Sequence, residues 1–501
     1  MFIAASKVSL LSKEGVTQGD PLAMPAYGVG SLPLARKLKN PEKWKQNWYA
    51  DDSSCIAVFD LLIEWLKLLI LEGPKYGYFP EPEKSYLVVH PDFVDIAKEK
   101  FADFKMNIVT SHRFSGGFIG NDDVSSWISK KVDVLVNSIQ KLATVAQYEP
   151  QAAFVAFTKS LQCEWTFIQR VMIDMQHHFS PLRLAIQESF LPSLFGSQVD
   201  ALEAEIMCTP SRNGGIGVLD PVKTALPQFV TSREATSYLS EVICKGSNFD
   251  LNAHDSQRQF AFNKKMESEK LLKIESLAIL DSFPEPRKKC IQRKLEFQCS
   301  GWLSVIPVEG NHFDMSPNEF RDALALRYGR TPIDLPTHCD ADGEVFSVNQ
   351  ALNCAKGGLV YGRHNELRDL NCSLLELAGL KQVISEPIIL ETNDKQLRAD
   401  WGARGFWEPQ KQALFDCCII NAESASLQHT PLQTIFNTRK NKKLSTYSQA
   451  AKARRASFTP ILATCDAVFE KDAELYVKRL SAILSKNWKS SYSKTVGFIQ
   501  A

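Results

Sequence analysis

No stretch of this sequence is a plain hydrophobic run of membrane-spanning length. The most apolar segment, Cys55 to Leu71, is broken at helical spacing by Asp60, Glu64 and Lys67, which predicts an amphipathic helix with one wet face. Charge of one sign is also missing. Lys and Arg number 58 against 57 Asp and Glu, a net +1, so attraction to a polyanion must come from local basic clusters. The opening MFIAASKVSLLSKEG has neither the apolar core nor the cleavage site of a secretory leader, and secretion is not expected. Internal repeats and low-complexity tracts are absent. Twelve cysteines, from Cys55 to Cys465, are therefore expected as thiols, with metal ligation by a few.

What is present fits a folded chain of several domains. Its 501 residues exceed one ordinary core, giving an expectation of two to four domains. Hydrophobic residues make up 44% and charged residues 23%, a balance typical of packed, soluble protein. Residues 1–120 read as strands and helices with many turns. Within them, Ser85 to His90 reads as a β-rich run and SHRFSGGFIG as a hairpin turning at Gly116-Gly117. Residues 121–240 are helical by period, with Ile128, Val132, Leu135, Ile139 and Leu142 spaced by three and four. Residues 241–335 are helical and more polar, and Ser316 with Glu319 forms a capping-box pattern. His, Cys, Gly and Asn crowd together over 336–370. Residues 371–501 read as an α/β unit.

Two short motifs carry the first functional signal. GVTQGDPLAMPAY spans Gly15 to Tyr27, and WYADDSS spans Trp48 to Ser54 about thirty residues later. An acidic pair alone is either a solvated turn or a place to hold cations. Hard divalent ions prefer carboxylate oxygens, and nucleotide addition uses two ions about 4 Å apart. In this order and spacing the motifs resemble the palm of the reverse transcriptases of non-LTR retrotransposons. The resemblance implies that Gln18 and Gly19 lie in a nucleotide- and template-binding segment. It implies that Asp51 and Asp52 hold Mg²⁺ or Mn²⁺ for nucleotidyl transfer, and that Lys84 meets the leaving pyrophosphate; a plain surface lysine is the other reading. FSGGFIG resembles the primer-grip hairpin. The family's third palm carboxylate comes from a strand well upstream of the Gln-Gly segment, and only seventeen residues precede Gln18 here. Polymerisation by this chain alone is therefore not expected, and a separately supplied palm and fingers segment is an expected partner.

The resemblance continues downstream. HCDADGEVFSVNQALNCAKGGLVYGRHNELRD, His338 to Asp369, resembles a zinc knuckle with members missing. Cys339 and Cys354 remain, with His338 or His364 as helpers and Asp340 or Asp342 near the place of an absent cysteine. Structural zinc takes four nitrogen or sulfur ligands, so a loop of free thiols packed on the next domain, without zinc, is the favoured reading and bound zinc the alternative. The block from Arg363 to Tyr447 resembles the restriction-like endonuclease of the same retrotransposons, which gathers carboxylates and a lysine around Mg²⁺. Carried over, Asp400 and Asp416 bind metal, Glu366 or Glu386 completes the shell, and Lys443 or Lys442 stabilises the phosphate. ALFDCCIIN reads as a buried strand with one carboxylate. From Arg439 to Arg455 there are seven Lys or Arg and no Asp or Glu, a candidate polyphosphate contact.

The expected fold class is thus α+β and multidomain. The resemblance divides it into a partial reverse-transcriptase palm (1–120), a helical thumb (121–240), a helical linker (241–335), a degenerate knuckle (336–370) and an α/β restriction-endonuclease-like domain (371–501). The expected function is that of a reverse-transcriptase-related protein with metal-dependent DNA nicking, acting on an RNA template or DNA target in the nucleus or cytoplasm without a membrane. The alternative is a nucleic-acid-binding relic without catalysis.

Overall fold

A computed structural model describes residues 20–120, 124–296, 299–311, 313–392 and 395–499. It is a mixed α and β structure with small sheets. Gln18 and Gly19 lie outside the described residues. Contacts divide the chain into two compact units. One comprises Met1–Asp133, Thr166–Phe179 and Lys223–Ser268; the other comprises Val134–Trp165, Ser180–Val222 and Glu269–Ala501. The division cuts through the expected segments 121–240 and 241–335, because their helices find partners far away in sequence. Among the described residues no helix is long and apolar enough to cross a membrane.

In the first unit, helix α1 (Ala23–Lys37) leads into an antiparallel hairpin of β1 (Lys45–Tyr49) and β2 (Asp52–Ile56). Helix α2 (Phe59–Glu72) follows. The apolar run thus starts as strand: Cys55 and Ile56 pair in the hairpin, and only the part from Phe59 is helical. Val58 takes an extended N-cap conformation between the two. Leu34, Leu38, Trp44, Trp65, Leu66 and Leu69 form one core, with Trp48 and Cys55 packed on it. Strands β3 (Tyr86–Val88) and β4 (Asn107–Val109) pair in parallel, so the β-rich run is shorter than its sequence suggests. Strands β5 (Ser111–Phe114) and β6 (Gly117–Gly120) form the hairpin expected around Gly116. Ser115 and Gly116 both have positive φ, 46° and 80°, matching the strand twist of a tight two-residue turn.

The second unit holds the larger sheet. Strands β7 (Lys381–Ser385), β10 (Trp401–Arg404), β11 (Gln412–Ile420) and β12 (Ser457–Thr464) lie in the order β12-β11-β10-β7. A separate ribbon pairs β8 (Ile388–Thr392) with β9 (Lys395–Arg398). Before the sheet come α3 (Glu285–Glu296), α4 (Pro317–Arg327) and α5 (Leu359–Leu377). Ser316 and Glu319 cap α4 reciprocally, as their spacing predicts. Helix α6 (Leu432–Ala453) carries the chain from β11 to β12, which run parallel, and α7 (Lys471–Trp488) follows β12. A parallel pair needs such a crossover. Helix α6 covers one face of β11 and α5 with α7 cover the other, which is why QALFDCCII is nearly all apolar. Side chains of a strand alternate between faces. Ala413, Phe415 and Cys417 therefore join Trp401, Phe406, Leu375, Tyr476 and Leu480 in one core. Leu414 packs on the opposite face with Ala451 of α6.

Candidate metal centre

Asp416 sits mid-strand in β11 and points to the α6 face of the sheet. It is only 3% exposed, so its charge needs a partner. Lys443 of α6 supplies one by a close ion pair. The same ammonium donates to the Cys417 carbonyl at 3.2 Å. Tyr447, one helical turn further along α6, lies beside the pair with its ring 5.9 Å from the Lys443 ammonium, and its phenol is raised by burial first and by the Asp416 charge second. Burial raises the Asp416 carboxyl above the usual range, the Asp400 charge adds to this, and Lys443 partly offsets it. Burial alone would lower Lys443, but the ion pair with Asp416 outweighs it and raises the ammonium.

Asp400 lies between β9 and β10, where its backbone ties to both neighbours. Its N–H donates to the Phe415 carbonyl and its carbonyl accepts from Glu386. Its Oδ2 accepts from the Cys417 amide at 2.6 Å and from His364 Nε2 at 3.2 Å. Burial would raise this carboxyl, but the bonds from His364 and Cys417 hold it below its ordinary value. The reciprocal bond to Asp400 raises His364 against the effect of burial.

The structure therefore pairs Asp416 with Lys443 and gathers Asp400 with His364 and Cys417, the two carboxylates close enough for the Asp400 charge to raise Asp416. Glu366 is not brought to them. On α5 it is two residues from His364, about 200° around the helix, and it is exposed. Glu386 is also exposed and engaged elsewhere, paired with Arg368 and Arg398. His364 takes the helix position that the resemblance assigned to Glu366. Sequence alone offered it only as a knuckle ligand, because its neighbour in space, Asp400, is 36 residues away. Lys442, the other lysine considered, is exposed.

The knuckle segment closes without His364. Cys339 and Cys354 are buried with their sulfurs 3.9 Å apart. The Cys354 thiol donates to Asp342 Oδ2 at 3.2 Å, and the Gly357 amide donates to Cys354 Sγ at 3.4 Å. Backbone bonds from Cys339 to Glu344 and from Gly343 to Cys339 make a tight turn of 339–344. Two thiols, a carboxylate and an amide aimed at sulfur suit a zinc ion with one open position. His338 instead bonds Thr337. None of the twelve cysteines is disulfide-bonded.

At the other end of the chain, Asp51 lies in the hairpin turn and Asp52 opens β2, both exposed. Ala50 precedes them at φ 51°. Tyr78 donates to the Asp51 carbonyl at 3.0 Å and meets Ser53 at 2.8 Å, which fixes the turn. Tyr27 of α1 is close enough to feel Asp51: burial raises its phenol, Tyr78 adds to this, and Asp51 adds further. Lys84 is exposed and pairs with Glu81 at 2.6 Å. No family model matches the chain, and no match is found among the curated proteins.

Proposed function

We propose that the chain is a reverse-transcriptase-related retroelement protein whose working activity is metal-dependent nicking of DNA at Asp400 and Asp416. The observation that carries this reading is the pairing of the buried Asp416 with Lys443, beside a second carboxylate held in place by a backbone amide and an imidazole. A divalent ion bound by the two carboxylates would acidify water and neutralise charge at a scissile phosphate. Lys443 places a fixed cation at the same point, where a phosphorane-like charge builds. Tyr447 packs its ring beside the Lys443 ammonium. The Cys417 amide and His364 keep Asp400 ionised.

The basic face of α6 supplies the substrate class. Arg439, Lys442 and Lys452 of α6 are exposed, as are Arg454 and Arg455 in the turn after it, and α6 carries no acidic residue. Phosphate oxygens satisfy such a row without sequence reading. The YADD hairpin fits RNA-directed DNA polymerase ancestry, with Asp51 and Asp52 as metal-holding carboxylates. Zinc in the Cys339, Asp342 and Cys354 turn would serve as a structural clamp. Binding without catalysis is a second reading, favoured by how fully Lys443 already neutralises Asp416.

The test is nicking of supercoiled plasmid by the full chain with Mg²⁺ or Mn²⁺ against EDTA, with Asp416→Asn alongside. Metal-dependent nicking lost in the variant supports an endonuclease. Plasmid binding equal in both, with no nicking by either folded protein, sinks catalysis and leaves the binding reading.

A further inference from the structure

The two faces of β11 offer Asp400 two different sets of neighbours. On one face stands Asp416 with Lys443, an oxygen donor and a cation. On the other stands Cys417, 2% exposed, with His364 reaching in from α5. Imidazole nitrogen, carboxylate oxygen and thiol sulfur lie within 4.8 Å of one another. We propose that His364, Asp400 and Cys417 form a transition-metal site that prefers Zn²⁺ to Mg²⁺.

The geometry is near that of a loaded site. Tetrahedral zinc, with bonds of about 2.0–2.3 Å, separates its ligand atoms by roughly 3.3–3.8 Å. Rotamer adjustments of about an ångström or less close the present triangle to that size. His364 and Asp400 already stand at 3.2 Å. The Cys417 amide donates to the same Asp400 Oδ2 that meets His364, a bond of the kind that orients a metal ligand. The His364 side chain is 34% exposed, which leaves a way in for the ion and a place for water at the fourth position.

Donor chemistry sets the preference. Mg²⁺ wants oxygen ligands in a near-octahedral array, and a sulfur and an imidazole fail it. Thiolate and imidazole suit zinc. On binding, the Cys417 S–H bond breaks, a zinc–sulfur bond forms and the proton leaves to solvent. The ligands come from α5, the β9–β10 connection and β11, so an ion there also joins three elements.

A consequence follows for the proposed nuclease, and this part rests on that reading. Asp400 belongs to both sets. Zinc held by His364 and Cys417 takes that carboxylate from the Mg²⁺ site, so zinc inhibits Mg²⁺-supported nicking.

The experiment uses the full chain carrying Cys339→Ser and Cys354→Ser, which removes the other sulfur cluster. Bound Zn²⁺ is counted against a chromophoric chelator, and Co²⁺ is added to look for thiolate-to-cobalt absorption. One equivalent with a cobalt–thiolate band is expected, lost on adding His364→Gln and lost again on adding Cys417→Ala. Circular dichroism of each variant confirms folding; the partly exposed His364 makes that variant the safer one. No zinc bound by the folded double-serine protein overturns the site. So does an equivalent that survives both further changes. Nicking is read separately: zinc bound without any nicking upholds the site against the nuclease reading, and nicking without zinc binding does the reverse.

Discussion

His364 and Asp400 illustrate how two partly buried groups set each other's charge. The folded pKa of His364 lies above its unfolded value, so its stabilising contribution is complete below the unfolded pKa and fades as pH rises through the folded one. Asp400 is lowered, so its share is present above its unfolded pKa and fades as pH falls through its folded one. Both are charged around pH 5. His364→Gln is expected to lower the Tm of the metal-free protein more at about pH 5 than at about pH 9; an equal loss at both would contradict the pairing. Asp416 and Lys443 form a more buried pair. Removing one member of such a pair costs about 3 kcal/mol or more, because the other is left uncompensated, whereas replacing both with uncharged groups costs less. Lys443→Met should therefore destabilise more than Asp416→Asn with Lys443→Met together, as urea midpoints would show. Of these residues, Asp400, Asp416 and Lys443 (with Lys442 beside it) were offered by the resemblance. His364 was not legible as their neighbour, since its pairing spans α5 and the β10 entry and leaves no local pattern.

Among elements, α3 is tied to the sheet's end by Arg293, and by Lys289, which donates to the Gln428 carbonyl at 3.3 Å. Arg293 is 14% exposed, pairs with Asp466 at 2.8 Å and reaches Glu423 as well. Burial acts to lower its guanidinium, but the two carboxylates outweigh that and raise it. Glu423 follows β11 and Asp466 follows β12, so Arg293 ties α3 to both strand ends. Nearby Asn421 donates to Asn349 at 2.6 Å, linking the knuckle to β11. Arg293→Met is expected to cost about 2 kcal/mol as Glu423 and Asp466 lose a shared cation, measured by thermal unfolding near neutral pH, and the loss should shrink when those carboxylates are protonated. Helix α4 offers a simpler case: Ser316→Ala removes one half of a reciprocal cap and should cost about 1 kcal/mol. The cap was readable from SPNE alone, because capping is local. The true start of α2 at Phe59 was not, since Cys55 and Ile56 are as apolar as a helix would want and only pairing with β1 makes them strand.

At the scale of the whole molecule, a net charge of +1 conceals an uneven distribution. The exposed cations of α6 are expected to give DNA binding a steep salt dependence despite that near-neutral total. Arg439→Glu with Lys442→Glu should flatten the slope of log K against log salt by about one for each cation removed, and an unchanged slope would place DNA elsewhere. Two units built from interleaved segments are a fact of packing. Which helix covers which face depends on contacts between residues such as Gln151 and Phe313, whose 2.9 Å bond spans 162 positions. By itself the sequence determined what is local or strictly periodic. The apolar β11 strand with a single acid, the β5–β6 turn at Gly116, the acid-free α6 and the acidic turn at Asp51 are of that kind, because alternation, backbone φ and charge act within a few residues. Only the tertiary structure decided which donors share a point in space: His364 with Asp400 and Cys417, and Asp342 with the two knuckle thiols. Parallel pairing of β11 with β12 and the cover of α5 bring them there, and burial then sets their charges, which no spacing in the chain can encode.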